Sequence, residues 1–261
     1  VPKADRRRAG PLAKTETAVG LSDIRPITLL EVSQKVLTGV LTKRIGKVWN
    51  ANHLLHPCQM AFLHGRGCFQ AMERLRGVLL DCETGEAGKE CHMLFLDLAK
   101  AYDSVEYWAL DDAMRGLGVP GPVLKRLRAL GAGAQARVLV GGAAHETGWV
   151  DLERGAAQGE VMSPLRFIAW MNLLLEALDA EGVGYSYQGG AKPYPGQAYC
   201  DDGLFMAESQ RDLQKSCDVI SAFCEMYKVK INAGKSYYTV SYGARNKAVA
   251  KNCMNMQGRL K

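Results

Sequence analysis

Between Gln197 and Ala207 the chain reads Gln-Ala-Tyr-Cys-Asp-Asp-Gly-Leu-Phe-Met-Ala, two apolar, β-prone runs joined through adjacent carboxylates and a glycine. Asp-Gly between such runs is a strong short-range signal for a β-hairpin. Asp201 and Asp202 are then expected at its tip, where two carboxylates held close repel each other unless a cation lies between them. Taken alone, Asp-Asp-Gly reads better as a polar turn. Other segments tilt the reading toward a cation site.

The first is Met93-Leu94-Phe95-Leu96-Asp97-Leu98, followed by Ala99-Lys100-Ala101-Tyr102-Asp103-Ser104. A continuous apolar run implies a strand buried on both faces, where an unpaired carboxylate costs several kcal/mol. Asp97 is therefore expected at the exposed end of that strand with a partner, either a metal or a basic side chain. Ser104 is expected to cap a helix through Val105, Trp108 and Met114 that stops at Gly116 and Gly118. The second segment is Arg154 to Pro164, where glycines and a proline bracket Gln158 and Ser163 before a helix, Leu165 to Leu178, apolar on most of its circumference. Such a loop can set backbone amides and a glutamine against a ligand. The third is Gln59 to Gly67, where Gly65 and Gly67 flank Arg66; an arginine so presented can approach a phosphate, although a lone loop arginine is more often solvated.

At 261 residues, 48% hydrophobic and 23% charged, the chain has the length and balance of one large globular domain or two packed subdomains. It has no apolar run long enough for a membrane span and no signal peptide, and its start at Val1 suggests a fragment. The eight cysteines form no Cys-x-x-Cys pair and read as reduced core thiols. His53 and His56 with Cys58 and Cys68 come nearest to zinc-ligand spacing, but loop residues are the better reading. The formal charge of +6 hides a gradient: residues 1–14 carry a net +4 and residues 226–261 a net +8, which leaves −6 for the middle. Basic ends around an acidic centre suit a protein that grips a polyanion and holds cations at its core, and equally suit a solvated basic tail.

Elsewhere the pattern predicts an irregular, flexible basic arm or truncated element over 1–21, an extended stretch at Arg25-Pro26-Ile27, and an amphipathic helix over Glu31–Trp49. In that helix Val32, Val36, Leu37, Val40, Leu41, Ile45 and Val48 form the apolar side. Helices follow at Phe69–Cys82, Pro120–Leu130 and Arg211–Tyr227, strand-turn-strand at Arg137–Leu152, a basic turn over Lys228–Lys235 and a last strand over Ser236–Tyr242. There is no internal repeat.

Six blocks occur in one order: Arg25-Pro26-Ile27; Gln59-x-Ala61-Phe62-x-x-Gly65-Arg66; Asp97-Leu98-x-Lys100-Ala101-Tyr102-Asp103; Arg154-Gly155-x-x-Gln158-Gly159-x-x-x-Ser163-Pro164; Tyr199-Cys200-Asp201-Asp202; and Lys230-Ile231-Asn232-x-x-Lys235. Together they resemble the reverse transcriptase domain of non-LTR retrotransposons, over about residues 22–242. The departures are Cys200 where alanine is usual, Glu160-Val161-Met162 where aspartate, proline and leucine are common, and Ala61 where glycine is usual. None removes a carboxylate.

The resemblance implies an α+β fold, a right-hand polymerase with fingers (mainly 22–90) and palm (mainly 91–242, with a fingers-palm connection), an antiparallel palm sheet backed by helices, and no thumb. Residues 243–261 would be a basic tail that starts the connection to one. It implies RNA-directed DNA polymerisation with two Mg2+ ions, for which Mn2+ can substitute, held by Asp97, Asp201, Asp202 and the Leu98 carbonyl. Tyr102 matches the family's steric gate against a ribose 2′-hydroxyl, or else is a core aromatic. Gln158 and Gly159 resemble residues that line the incoming nucleotide, Ser163 and Pro164 those near the template base, and Tyr199 and Cys200 those beside the primer end. Arg25 and Arg66 would meet the triphosphate and Lys235 would protonate pyrophosphate. The implied partners are an RNA template, a DNA primer and deoxynucleoside triphosphates, with no membrane, at an intracellular, nuclear site; oligomeric state is left open. Two rivals stand beside this reading: an intron-encoded organellar reverse transcriptase with maturase function, and a silent nucleic-acid-binding palm scaffold.

Overall fold

A computed structural model describes residues 6–13, 24–84, 89–131, 134–140, 145–152, 155–156, 159–187, 190 and 192–242. Its centre is an antiparallel sheet of four strands in the order β11-β3-β9-β8: β3 is Glu90–Leu96, β8 Gly196–Tyr199, β9 Asp202–Ala207 and β11 Tyr237–Tyr242. The apolar run around residue 93 is the inner strand β3, paired with β9 from His92↔Ala207 to Leu96↔Gly203 and with β11 from Glu90↔Tyr242 to Phe95↔Tyr237. Side chains alternate across it. Leu94 and Leu96 join Phe205, Ala207, Tyr238 and Val240 in the main core, whereas Cys91 and Met93 join Leu204 and Met206 in a smaller core beneath α2 (Cys68–Thr84). Both faces of β3 are therefore covered, as its unbroken hydrophobicity requires. Cover on the α2 side ends at Phe95, which is 39% exposed, and Asp97 follows on that same open face.

The main core is built around α6 (Ser163–Glu181), which packs against α4 (Tyr107–Gly116) on one side and α7 (Gln210–Met226) on the other. A helix apolar all round must be buried, and Phe167, Trp170 and Met171 of α6 are fully so. Its buried charge, Arg166, is paired within the fold: Asp111 of α4 is buried between Arg166 at 3.1 Å and Arg128 of α5 (Gly121–Gly131). α7 starts where Ser209 accepts a hydrogen bond from the Asp212 amide, the cap that a helix N-terminus needs for its orphan donors.

A second sheet runs β2-β1-β5-β6, with β7 also on β5: β1 is Arg6–Ala13, β2 Ile24–Leu29, β5 Gln135–Val140, β6 His145–Glu146 and β7 Val150–Asp151. The irregular arm expected over 1–21 is, at Arg6–Ala13, a strand instead. It shows no alternation because partners far along the chain specify it, antiparallel β2 on one edge and parallel β5 on the other. Pro11 pairs with Pro26, so both missing donors fall at one position of the ladder.

α1 (Val32–Ala51) forms where its periodicity predicts, but of the expected apolar side only Leu41 and Ile45 pack against the main core. Val32, Val36, Leu37, Val40 and Val48 are exposed, while Gln34, Thr38 and Trp49 are buried. The reason is capping. Gln34 Nε2 donates to the Leu130 carbonyl of α5 at 3.4 Å and Trp49 Nε1 to the Leu117 carbonyl just past α4 at 3.0 Å. α1 thus satisfies the orphan carbonyls of two helix ends. Ser104 also departs from expectation: it lies in α3 (Ala101–Ser104) and its hydroxyl donates back to the Lys100 carbonyl at 2.9 Å, while Glu106 precedes α4 without a side-chain cap. Of the cysteines among the described residues, Cys68 is exposed and the other six are buried free thiols. No helix among the described residues is long and apolar enough to cross a membrane.

Candidate active site

Tyr199 pairs with Asp202, so the two-residue turn of the hairpin is Cys200-Asp201, and Asp202 and Gly203 already belong to β9. The Asp-Gly signal locates the hairpin, but the expected tip, Asp201-Asp202, falls one residue past the observed turn. Gly203 is required for packing, since a Cβ there would meet the Phe205 ring at 2.7 Å. Cys200 takes the left-handed conformation, φ 61°, that a tight hairpin turn demands. A buried glutamine holds that turn: Gln59 Oε1 accepts from the amides of Cys200 at 3.3 Å and Ala61 at 3.0 Å, and Gln59 bridges Ala198 of β8. The loop carrying Gln59-x-Ala61 is thus a brace for the hairpin.

Asp97 follows the last β3–β9 pair, Leu96↔Gly203, and the register carries it opposite Asp202. The two carboxylates feel each other: burial first, then the charge of Asp97, push the Asp202 carboxyl above its usual value. Among the described residues the partner of Asp97 is neither arginine nor lysine. Asn232 Nδ2 donates to Asp97 Oδ2 at 2.7 Å, the Asn232 amide donates to the Asp97 carbonyl at 2.8 Å, and the Asp97 amide donates to Ser236 Oγ at 3.1 Å. An ionised carboxylate only accepts, so the asparagine must turn its nitrogen inward. Two short strands frame this contact: β4 (Leu98–Ala99) pairs with β10 (Lys230–Ile231), with Leu98 opposite Ile231.

Among the described residues no three His, Cys, Asp or Glu side chains form a closed cage for a metal ion. Carboxylates on one open sheet face with a neutral amide behind them do fit Mg2+. That ion keeps waters and binds through one or two carboxylates plus substrate phosphates.

Tyr102, half-buried, stacks on Phe167 of α6 with ring centroids 4.4 Å apart and 11° between planes, and its hydroxyl lies 2.7 Å from Cys200 Sγ. Burial pushes its phenol well above the usual value, so it stays neutral. The loop before α6 docks on the same turn. Ala156 donates to the Tyr102 carbonyl at 2.6 Å, and Gly155 to the Val105 carbonyl at 2.9 Å. Gly159, at φ 101°, presses on β2, where a Cβ would sit 2.5 Å from the Thr28 carbonyl oxygen; only glycine fits. Gln158 lies outside the described residues. Ser163 opens α6, buried, with its hydroxyl donating to Glu160 at 3.2 Å, and Pro164 occupies the first turn, where its missing N–H costs nothing.

The remaining site candidates spread around this centre. Arg66 Nη1 donates to the carbonyls of His56 at 2.9 Å and Gln59 at 3.0 Å, so it ties the bracing loop together. Arg25 lies in β2 opposite Leu12. Tyr199 ends β8 with its ring 6.5 Å from that of Phe62. Lys235 is exposed on the turn that supplies Asn232 to Asp97, closed by its own amide donating to the Asn232 carbonyl at 3.0 Å. Sequence reasoning missed Gln59, Asn232, Ser236 and Phe167 as members of the site. Gln59 and Asn232 stand inside quoted blocks, and that was their only signal.

A helix-backed antiparallel sheet that brings carboxylates from neighbouring strands to one open end is a polymerase palm. The chain belongs to the family described as reverse transcriptase (RNA-dependent DNA polymerase), whose model matches residues 1–253. It is 28% identical over 233 residues to the Retrovirus-related Pol polyprotein from type-2 retrotransposable element R2DM of Drosophila melanogaster, covering 87% of this chain and 20% of that protein. It is 26% identical over 219 residues to the corresponding polyprotein from type-1 retrotransposable element R2 of Popillia japonica, covering 82% of this chain and 29% of that one. The chain therefore spans less than a third of the length of these relatives. Apo telomerase from Candida tropicalis, truncated from the C-terminal domain, superposes with a TM-score of 0.65 at 11% identity, over 100% of this chain and 55% of that one, a likeness of fold. The resemblance to non-LTR retrotransposon reverse transcriptases carried by the six blocks holds, and the family uses divalent metal ions.

Proposed function

We propose that this chain is the polymerising domain of a retrotransposon reverse transcriptase, adding deoxynucleotides to the 3′ end of a DNA primer along an RNA template in the nucleus. The observation that carries the reading is the β3–β9 register, whose last pair, Leu96↔Gly203, brings Asp97 and Asp202 to the same open end of the palm sheet, with Asp201 at the adjoining turn. In this reading the four-stranded sheet and its helices are the palm, and β1, β2 and α1 with the strands β5–β7 form the fingers side.

Asp97, Asp201 and Asp202, with the Leu98 carbonyl, would hold two Mg2+ ions, or Mn2+ in their place. Once bound, the pair neutralises charge on the attacking and leaving oxygens of an in-line displacement. The chain's own groups position the reactants, the larger part of catalysis in phosphoryl transfer. Asn232 fixes the Asp97 carboxylate toward the open face. The Tyr102 ring crowds the sugar's 2′ position and so prefers deoxynucleotides. Gly159 and Gln158 line the nucleotide, Ser163 and Pro164 shape the wall by the template base, and Tyr199 and Cys200 back the primer end. Arg25 supplies charge to the triphosphate; Arg66, its Nη1 already on two carbonyls, contributes by fixing the loop that braces the hairpin. Lys235 Nζ passes a proton to the departing pyrophosphate oxygen.

The test is primer extension on poly(rA)/oligo(dT) with dTTP and Mg2+, Mn2+ or EDTA, alongside Asp201→Asn. Metal-dependent extension that the variant loses while its circular dichroism is retained is the expected result. A folded parent that binds RNA in a salt-dependent way but extends nothing under any metal would favour the silent scaffold.

A further inference from the structure

Three separate contacts hold Tyr102. Phe167 of α6 holds the face of its ring, Ala156 holds its backbone carbonyl, and Cys200 Sγ holds its hydroxyl at 2.7 Å. The first two leave one freedom, because a stacked ring can still slide and pivot about Cβ over the face of its neighbour. A hydrogen bond at the far end of the ring removes it. Cys200 makes that bond from a fixed place, since it is 5% exposed, held at φ 61° in a two-residue turn, and tied through its amide to Gln59. Alanine, the residue usual here in the resembling family, has no atom that could reach the phenol.

We propose that Cys200 is a positioning residue for sugar selection: its sulfur anchors the Tyr102 hydroxyl and locks the edge of the ring to the turn that carries Asp201. The distance between the ring that excludes a 2′-hydroxyl and the carboxylate beside the reacting phosphate is then set by one hydrogen bond across 98 residues of sequence. A ring released from Cys200 swings on Phe167 and makes room for a ribose. The role acts through Tyr102 and rests on the polymerase reading above.

The experiment measures kcat and KM for dTTP and for UTP in primer extension by the full chain, as parent, Tyr102→Phe, Cys200→Ala, Cys200→Ser and the Tyr102→Phe/Cys200→Ala double variant. The readout is the ratio of kcat/KM for the two sugars within each preparation, which does not depend on how much of it is folded. Tyr102→Phe and Cys200→Ala each lower that ratio about three- to tenfold, the scale of one net hydrogen bond. The double variant loses no more than the larger single loss, because both remove the same contact. Cys200→Ser, whose hydroxyl can take the place of the thiol, recovers most of the ratio. A parent-like ratio in Cys200→Ala, additive losses in the double variant, or serine behaving as alanine would overturn the proposal while leaving the polymerase reading in place. A parent that incorporates no dTTP under any metal overturns both.

Discussion

Asn232 does for Asp97 what no local pattern announces. Its amide and its backbone N–H both bind the aspartate, and Ser236, whose hydroxyl donates to the Asn232 carbonyl at 3.0 Å, steadies it. Groups behind a metal ligand fix its orientation and typically carry 10–100-fold of metal affinity or activity. Asn232→Ala is therefore expected to lower extension at limiting Mg2+ by about 10- to 100-fold, partly recovered at high Mg2+, with little change in thermal unfolding. A Mg2+ titration of primer extension checks this, and an unchanged midpoint would deny Asn232 the role. The aspartates were legible because each breaks an apolar run or doubles a turn. Asn232 and Gln59 were not, because their bonds reach 135 and 141 residues along the chain, and a lone amide in a polar loop looks like any other. Tyr102 was legible only through its block, and its anchoring by Cys200 only through the fold.

Among elements, periodicity located β3, α6, α7 and the hairpin because burial alone decides their side chains. It located α1 but only part of its buried side, Leu41 and Ile45. A helix with valines spaced three and four apart is read as packing through them, yet α1 docks through Gln34 and Trp49, whose hydrogen bonds to neighbouring helix ends outweigh the stripe. Opposite consequences follow for two substitutions. Val36→Lys, at a position 62% exposed, is expected to change unfolding free energy by less than about 0.5 kcal/mol. Trp49→Ala, at 2% exposure, is expected to cost about 3–5 kcal/mol. Urea denaturation of both decides, and the reverse ranking would mean that the stripe faces the core. β1 escaped prediction for another reason: Arg6–Ala13 has no strand-like pattern, and its conformation comes from edges that β2 and β5 offer.

Across the whole molecule, charge is the property that sequence reports directly, because it sums without regard to folding. A chain with a net +4 over 1–14 and +8 over 226–261 is expected to bind RNA with an affinity that falls steeply with salt, by a power law whose slope counts the phosphates engaged. Filter binding from about 50 to 200 mM salt should show at least a roughly tenfold loss. A flat profile would assign the basic ends to solubility alone.

The order of strands in the palm also governs how the site comes into being. Asp97 meets Asp202 only through pairs such as His92↔Ala207, and its bond to Asn232 closes a loop of 135 residues. Closures of that span are slow, since chain entropy must be surrendered before any contact repays it. A nascent or partly unfolded chain therefore holds its carboxylates far apart, and the site exists only once these distant segments have closed on one another.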